Sequence, residues 1–348
     1  MDLAILLIGL HHLHATGWMT NIGLVPGLRL AGIVEADQDL LRGVQAPPDV
    51  ARFPDWREAL AACEADIALI LLPHAQMPAA AVAAALAGRH LIVEKPCAPS
   101  ADALLPVGEA VAAHGVAFTS PYLWRYDPAV VRARQIVREG ILGRPLYATG
   151  RIHAGGPHRY LALSAWMLEP QHGGGPLRNL GVHWVDALTD LIAAEPVTVL
   201  CQLGRQAQPA AVEDHARLLI EYDNGAQALV ETSYCLPPTY PPAGYDYAFR
   251  LQGSAGLVEW SQRDDLLLVC TADGRRTEER VHRAPDPGGY GGQNGLDFLA
   301  ALAEAIRGKR APDVTFAQAL RALQVVDAGY RSAAQGGAIA AQCDGRHE

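Results

Sequence analysis

Through the first 120 residues, short apolar runs alternate with Ala-rich stretches of helical character. Leu3–Gly9, Leu28–Glu35, Asp66–Leu72, His90–Glu94 and Val116–Ser120 read as strands. Between them, Asp55–Cys63, with Asp55 as N-cap, and Gln76–Ala87, closed by Gly88, read as helices. Strand–helix alternation at this spacing predicts a parallel sheet with right-handed crossovers, a doubly wound nucleotide-binding layout.

After Ser120 the pattern changes. A helical stretch, Ala129–Glu139, leads into a strand near Leu146–His153, and Gly173-Gly174-Gly175 precedes a helix around Gly181–Ile192. From Val197 onward strands follow one another directly. Ala216–Tyr222 and Ala226–Ser233 flank Asp223-Asn224-Gly225, where the N-G pair suits a type I′ hairpin turn. Further strands are expected at Tyr247–Gln252, Leu257–Trp260 and Leu266–Cys270, and helices at Gly295–Arg307 and Thr315–Gln335. The expected fold class is α/β for residues 1–121, followed over 122–348 by an α+β domain with an open, largely antiparallel sheet. One face of such a sheet would be covered by helices and the other by a second subunit.

Composition narrows the function classes. The chain has 348 residues and a net charge of −9, with 50% hydrophobic and 19% charged residues, which describes a folded core rather than disorder. An acidic chain without a basic block is not expected to bind nucleic acid or an anionic membrane surface. The run Leu3–Leu10 lacks the basic flank of a signal peptide and the length of a membrane span. Six scattered cysteines without a C-x-x-C pair point to a reducing cytoplasm rather than to disulfides or a zinc ribbon.

The dinucleotide fingerprint expected after the first strand reads Gly9-Leu10-His11-His12-Leu13-His14, so only its first glycine is present. Histidine at the other two positions restricts the approach of the backbone to a pyrophosphate. Context supports the assignment: a strand before, a helix after, and Glu35 at the end of the second strand. A carboxylate there accepts hydrogen bonds from ribose hydroxyls and repels a 2′-phosphate, favouring NAD over NADP. His11, His12 and His14 are expected among the cofactor contacts, with His11 and His14 lining the cofactor or substrate cleft, where imidazole N–H groups donate to phosphate. No metal is expected, because three imidazoles in one turn rarely reach one ion and no carboxylate is evidently paired with them.

Val93-Glu94-Lys95-Pro96 ends the fifth strand, where ligands of doubly wound sheets bind. Pro96 holds Lys95 extended and admits a cis peptide. Of the 28 basic residues 26 are Arg, so this is one of only two lysines. A partly desolvated ammonium beside a cationic nicotinamide has a lowered pKa and can exchange a proton with a substrate hydroxyl, which a guanidinium cannot.

Together the E-K-P turn, Trp124-Arg125-Tyr126-Asp127-Pro128, the segment Gly173 to Asp186 containing Asn179, Gly181 and His183, and the tail from Asp297 to Gly336 resemble the Gfo/Idh/MocA oxidoreductases. The resemblance implies a Rossmann domain, an α/β domain whose open sheet forms homodimers or homotetramers, and NAD(P)-dependent oxidation of sugars, cyclitols or related polyols. It makes Lys95 the catalytic lysine and His183 the histidine that takes the hydroxyl proton. Three departures stand out: the degraded glycine fingerprint, Asn179 where the family has Asp, and Pro73-His74-Ala75-Gln76-Met77 in place of P-N-x-x-H. Pro73, His74 and Glu94 join the expected cofactor contacts. Independently of the family, Asn179 and His183 are four apart and face one way on a helical turn, with Asp186 placed to orient the imidazole.

Substrate recognition is expected from Tyr122, Trp124 and Arg125 at the junction and from His153, His158, Arg159 and Trp166, aromatic faces with groups that read hydroxyls. The leading expectation is a dehydrogenase acting on CH–OH groups. The alternatives are a lyase or glycosidase using bound NAD for transient oxidation, and a non-catalytic sugar-binding protein.

Overall fold

The computed structural model describes residues 2–156, 164–206, 210–237, 239–240 and 244–341. Six parallel strands form the first sheet: β1 (Leu3–Ile8), β2 (Leu28–Val34), β3 (Ala51–Phe53), β4 (Ile67–Ile70), β5 (His90–Val93) and β6 (Phe118–Thr119). They lie in the order β3-β2-β1-β4-β5-β6. The connections are α1 (Ala15–Leu24), α2 (Gln38–Gly43), α3 (Trp56–Ala62), α4 (Met77–Leu86) and α5 (Ala101–His114). Asp55 caps α3 by accepting the Arg57 and Glu58 amides.

Strand alternation explains why β1 is apolar on both faces. Ile5 and Leu7 point to one side, against Trp18 and Ile22 of α1, while Leu6 and Ile8 point to the other, into the layer holding Ala59, Ala80 and Ala84. Each such aliphatic side chain, buried completely, contributes on the order of 2 kcal/mol. β1 and β4 are thereby fixed at the centre of the sheet, with their carboxyl ends open to a ligand.

The second half carries α6 (Pro128–Arg138), β7 (Pro145–Gly155), α7 (Val182–Ile192), β8 (Pro196–Gly204), β9 (His215–Tyr222), β10 (Gln227–Leu236), β11 (Tyr245–Gly253), β12 (Gly256–Ser261), β13 (Leu266–Thr271) and β14 (Arg276–Arg280). It closes with α8 (Gly292–Arg307), α9 (Phe316–Gln335) and β15 (Ile339–Ala340). The nine strands form one sheet, β14-β13-β12-β11-β7-β10-β9-β8-β15, antiparallel except where β10 runs parallel to β7. α7 crosses one face of it so closely that a Cβ on Gly150 would sit 2.7 Å from the Trp184 ring. Gly150→Ala is therefore expected to destabilise the fold by about 1–3 kcal/mol, measured as a shift in denaturation midpoint, because neither strand nor indole has room to yield.

The hairpin differs from the type I′ expectation. Gly225 has φ +79, whereas Asn224 is not among the residues of positive φ, and the Gly225 amide donates to the Tyr222 carbonyl at 2.9 Å. That is a type I turn at Asp223-Asn224 followed by a left-handed glycine, the three-residue hairpin. The extra residue let Asn remain in its ordinary region. The last helices return to the first sheet: Phe298 of α8 lies 5.7 Å from Trp18, and Asp327 of α9 accepts the Ala101 amide at the start of α5.

Candidate active site

Two cavities open at the carboxyl ends of the parallel strands. One, of about 610 Å³, is lined by Gly9, His11, Glu35, Pro73, Trp56 and Trp166, among others. The other, of about 400 Å³, includes His14, Lys95, Trp124, Asn179 and His183 in its wall.

In the larger cavity Gly9 turns at φ +103, and a Cβ there would lie 2.8 Å from the Leu71 carbonyl oxygen. Glu35 is 7% exposed; its Oε2 accepts the Leu10 amide at 2.7 Å and its Oε1 the Asp37 amide at 3.0 Å. Carboxylate oxygens keep further lone pairs, so the same atoms that fix the loop can accept ribose hydroxyls. The three histidines separate. His11 swings out to within 3.8 Å of Glu35 and 3.7 Å of Asp37. His12 folds inward and is 1% exposed. His14 turns into the smaller cavity. Ser164 ties this loop to the second half, accepting the Leu13 amide at 3.1 Å and donating to the His11 carbonyl at 2.9 Å.

Between the cavities lie buried polar atoms without a partner: His12 Nε2, His74 Nε2 and Trp166 Nε1. His74 Nδ1 donates to the Gly173 carbonyl at 2.9 Å, leaving Nε2 as an acceptor, and Trp166 packs edge-on to its ring at 4.6 Å. A glycine turn, a ribose-reading carboxylate and unpartnered donors and acceptors along one path fit an elongated polar cofactor. His12, His14 and Glu94 bring ligand atoms within 4.8 Å of one another. His12 Nδ1, however, accepts the His14 amide at 3.2 Å, so the neutral ring carries its proton on Nε2 and offers a metal no free lone pair.

In the smaller cavity the Lys95–Pro96 peptide is cis. Lys95 is 2% exposed and donates from Nζ to Asn179 Oδ1 at 2.5 Å and to the Asn179 carbonyl at 3.0 Å. Asn179 Nδ2 donates to the Tyr234 hydroxyl at 2.7 Å. Asn179 sits in a π-helical turn, Leu177–Gly181, that leads into α7 and widens the spiral beneath His183. Burial lowers Lys95 to about 8, despite the opposing pull of the Glu94 carboxylate. Burial first, and the Lys95 charge second, hold His183 well below the usual histidine value. His12, His14 and His74 are depressed in the same way, chiefly by burial, so the four rings are neutral at pH 7.

Residues 4–122 match the family model described as "Oxidoreductase family, NAD-binding Rossmann fold", and residues 130–259 match the "GFO/IDH/MocA C-terminal domain". The chain belongs to the Gfo/Idh/MocA oxidoreductases. It is similar to the NAD(+)-dependent scyllo-inositol 2-dehydrogenase of Bacillus subtilis, with 26% identity over 72% of this chain and 70% of that one. It is also 25% identical to the levoglucosan dehydrogenase of Pseudarthrobacter phenanthrenivorans, over 81% of each chain. Among solved structures, a levoglucosan dehydrogenase in complex with NADH and levoglucosan shares the fold with a TM-score of 0.85 at 22% identity, covering 98% of this chain and 100% of that one. An oxidoreductase from Agrobacterium radiobacter with NAD+, L-tartaric acid and magnesium gives 0.84 at 20% identity, over 98% and 99%.

Within this Gfo/Idh/MocA frame the structure redistributes several expected roles. Asp186 does not orient His183; both its oxygens accept from Arg125, each at 2.7 Å. Arg125 is thus a buried structural cation and not a substrate contact, since its guanidinium also reaches Asp190 and the Asp313 carbonyl. Tyr122 is fully buried with its ring edge-on to His183 at 6.0 Å, behind the imidazole and out of the cavity wall. Trp166 stands on the cofactor side, in the Glu35 cavity. His153 lies on the far face of the sheet, because its neighbour Ile152 faces the substrate cavity and successive side chains alternate. Glu94 is fully buried and accepts the Trp18 indole N–H at 3.1 Å. His158 and Arg159 lie outside the described residues.

Residues missed from the sequence complete the cavity. Tyr245, Tyr247, Gln262, Arg283, Tyr290 and Asn294 line it from β11, from loops and from the first turn of α8, all late in the chain. They carry no motif; pairing of β11 with β7 brings Tyr245 and Tyr247 to the cavity, and the packing of α8 and the loop before it on α1 brings Tyr290 and Asn294.

Proposed function

We propose that this protein is an NAD-dependent dehydrogenase that moves a hydride between nicotinamide and a secondary alcohol of a neutral sugar or cyclitol. The observation that carries the reading is the buried Lys95–Asn179 pair, beside His183, in a cavity adjoining the Glu35 cavity. The bound nicotinamide would supply the hydride acceptor or donor. Glu35 would hold its adenosine ribose, and His11, His12 and His74 the polar stretch between the cavities.

Lys95 and His183 handle the proton of the reacting hydroxyl. With Asn179 holding the ammonium from behind, Lys95 is fixed in position and retains a proton it can release near pH 8. Neutral His183 accepts a proton as the alcohol becomes a carbonyl. Asn179 cannot stabilise the imidazolium by charge; its amide is given to Lys95 and Tyr234.

The cavity favours an uncharged substrate. Arg283 is already paired with Asp127, at 2.7 Å, and with Asp265, at 3.2 Å, so it offers an anion no net charge. Trp124 and Tyr247, 4.6 Å apart and edge to face, give the apolar side of a sugar ring a surface to lie on.

The decisive experiment is a fluorescence titration with NADH and NADPH, followed by a panel of inositols, aldoses and anhydrosugars read at the nicotinamide absorbance. Micromolar NADH binding and oxidation of a neutral polyol are expected; sugar binding without any NAD(H) binding would sink the proposal. Glu35→Gln keeps one of the loop's two acceptor oxygens and removes the charge, so the ratio of NADPH to NADH dissociation constants should fall by about tenfold, the order expected for one neighbouring charge.

The reading includes residues 1–121 as the cofactor domain, residues 122–348 as the substrate and assembly domain, and a cytoplasmic homodimer or homotetramer joined through the sheet. Exposed Tyr147 and Leu200 on the face away from α7 support that assembly. Sedimentation should show a dimer or larger, and Leu200→Glu should shift it toward monomer.

A further inference from the structure

The third glycine of a dinucleotide fingerprint has no side chain; here the position is His14, and its ring points away from the cofactor loop. It enters the wall of the smaller cavity with Lys95 and His183. Two neighbours, Glu94 and Tyr290, place it there. Its Nδ1 lies 3.4 Å from Glu94 Oε2, within ion-pair distance but without the alignment of a hydrogen bond. That same carboxylate oxygen accepts the Trp18 indole N–H at 3.1 Å, which anchors Glu94 from beneath. The ring stacks on Tyr290, with centroids 3.6 Å apart and planes 19° from parallel. The other carboxylate oxygen, Glu94 Oε1, is buried and without a partner.

We propose that His14, beside the Glu94 carboxylate, is a third proton-handling group of this active site and receives at Nε2 the proton that His183 takes from the reacting hydroxyl. The inference rests on the dehydrogenase reading above. The Glu94 charge 3.4 Å from Nδ1 favours the tautomer with its proton on that nitrogen, leaving the Nε2 lone pair free. When that nitrogen accepts, the N–H bond that His183 gained from the hydroxyl breaks, an Nε2–H bond forms on His14, His183 returns to its neutral form, and the new imidazolium lies beside the buried Glu94 charge. The His14 side chain keeps 12% of its surface exposed, giving the proton an exit to water. Glu94, Lys95, His12, His183 and Tyr290 are the groups that face it. Burial and the Lys95 charge keep the ring neutral at pH 7, the form able to accept.

Two measurements test the proposal. In nitrogen-15 spectra of the protein without substrate, at pH 7, His14 should show the Nδ1–H tautomer in the wild type and lose that preference in Glu94→Gln. A proton on Nε2 in the wild type overturns the dyad whatever the substrate proves to be. With a polyol that turns over, His14→Ala should lower kcat about 100-fold, with KM within a few-fold, and added imidazole should restore activity. His14→Phe keeps the stack on Tyr290 and should stay folded and equally slow, without rescue. Full kcat in His14→Phe, or no rescue of a folded His14→Ala, overturns the catalytic role. If Lys95→Ala abolishes turnover while His14→Phe does not, this proposal fails and the dehydrogenase stands. If the wild type oxidises no polyol, the dehydrogenase reading fails, and the tautomer alone decides the dyad.

Discussion

Lys95→Met should reduce kcat by about 10²- to 10⁴-fold, the range general acid–base groups supply, while NADH affinity stays within a few-fold. The ammonium is 2% exposed and held on two oxygens of Asn179, so it is positioned rather than merely nearby. Its pH signature follows from burial, which lowers it to about 8. Alcohol oxidation needs the proton gone, so the wild-type rate should rise through about pH 8 and level off above it. Carbonyl reduction should fall across the same range. Both limbs should vanish from the residual activity of Lys95→Met.

Stability should move the other way. A lysine whose folded value lies below its unfolded one, 10.5, carries its full penalty below about pH 8 and is relieved as the pH climbs toward 10.5. Replacing it with an isosteric apolar chain removes that penalty, so Lys95→Met should keep or raise the melting temperature at pH 7. A variant that is inactive because it is unfolded would show the opposite. His183→Asn should also slow turnover, but without shifting the limb near pH 8, since that limb belongs to Lys95.

How much of this was legible in the sequence varies with the range of the interaction. β1 and β4 announce themselves because both faces are buried and almost every residue is apolar. The E-K-P turn is local, and its position at a strand end follows from chain order alone. β3, only three residues long, gives no periodic signal. Asp186 was misplaced for a different reason. Helical spacing puts it on the His183 side, but spacing cannot reveal that Arg125, 61 residues earlier, reaches it first. His14 shows the same limit from the opposite direction. In sequence it is a damaged glycine; in space it meets Glu94 from β5's end and Tyr290 from the loop before α8. Charge and burial decide such cases, and both are properties of the assembled fold.

Arg125→Met should be the most destabilising single change at this site, by about 3–5 kcal/mol in denaturant unfolding, because it strands a buried carboxylate. Asp186 is 3% exposed, and both its oxygens are bonded to that guanidinium. Asp186→Leu should cost less. It leaves Arg125 its contacts with Asp190, at 3.3 Å, and with the Asp313 carbonyl, at 3.2 Å, so the remaining charge is still partnered. The double variant should recover part of the loss, since two apolar side chains of similar volume leave neither ion exposed to a dry interior. Catalysis should follow in proportion, because Asp186 lies on α7 three residues beyond His183. Freed from Arg125, that helix loses the tie to the 123–126 turn behind Tyr122, whose edge supports the imidazole. The expected signature is a lower kcat with unchanged NADH affinity in Arg125→Met, and near-normal kcat in Asp186→Leu. Equal stability of the two single variants would mean that the pair acts as two independent hydrogen bonds and not as a buried charge neutralising its partner.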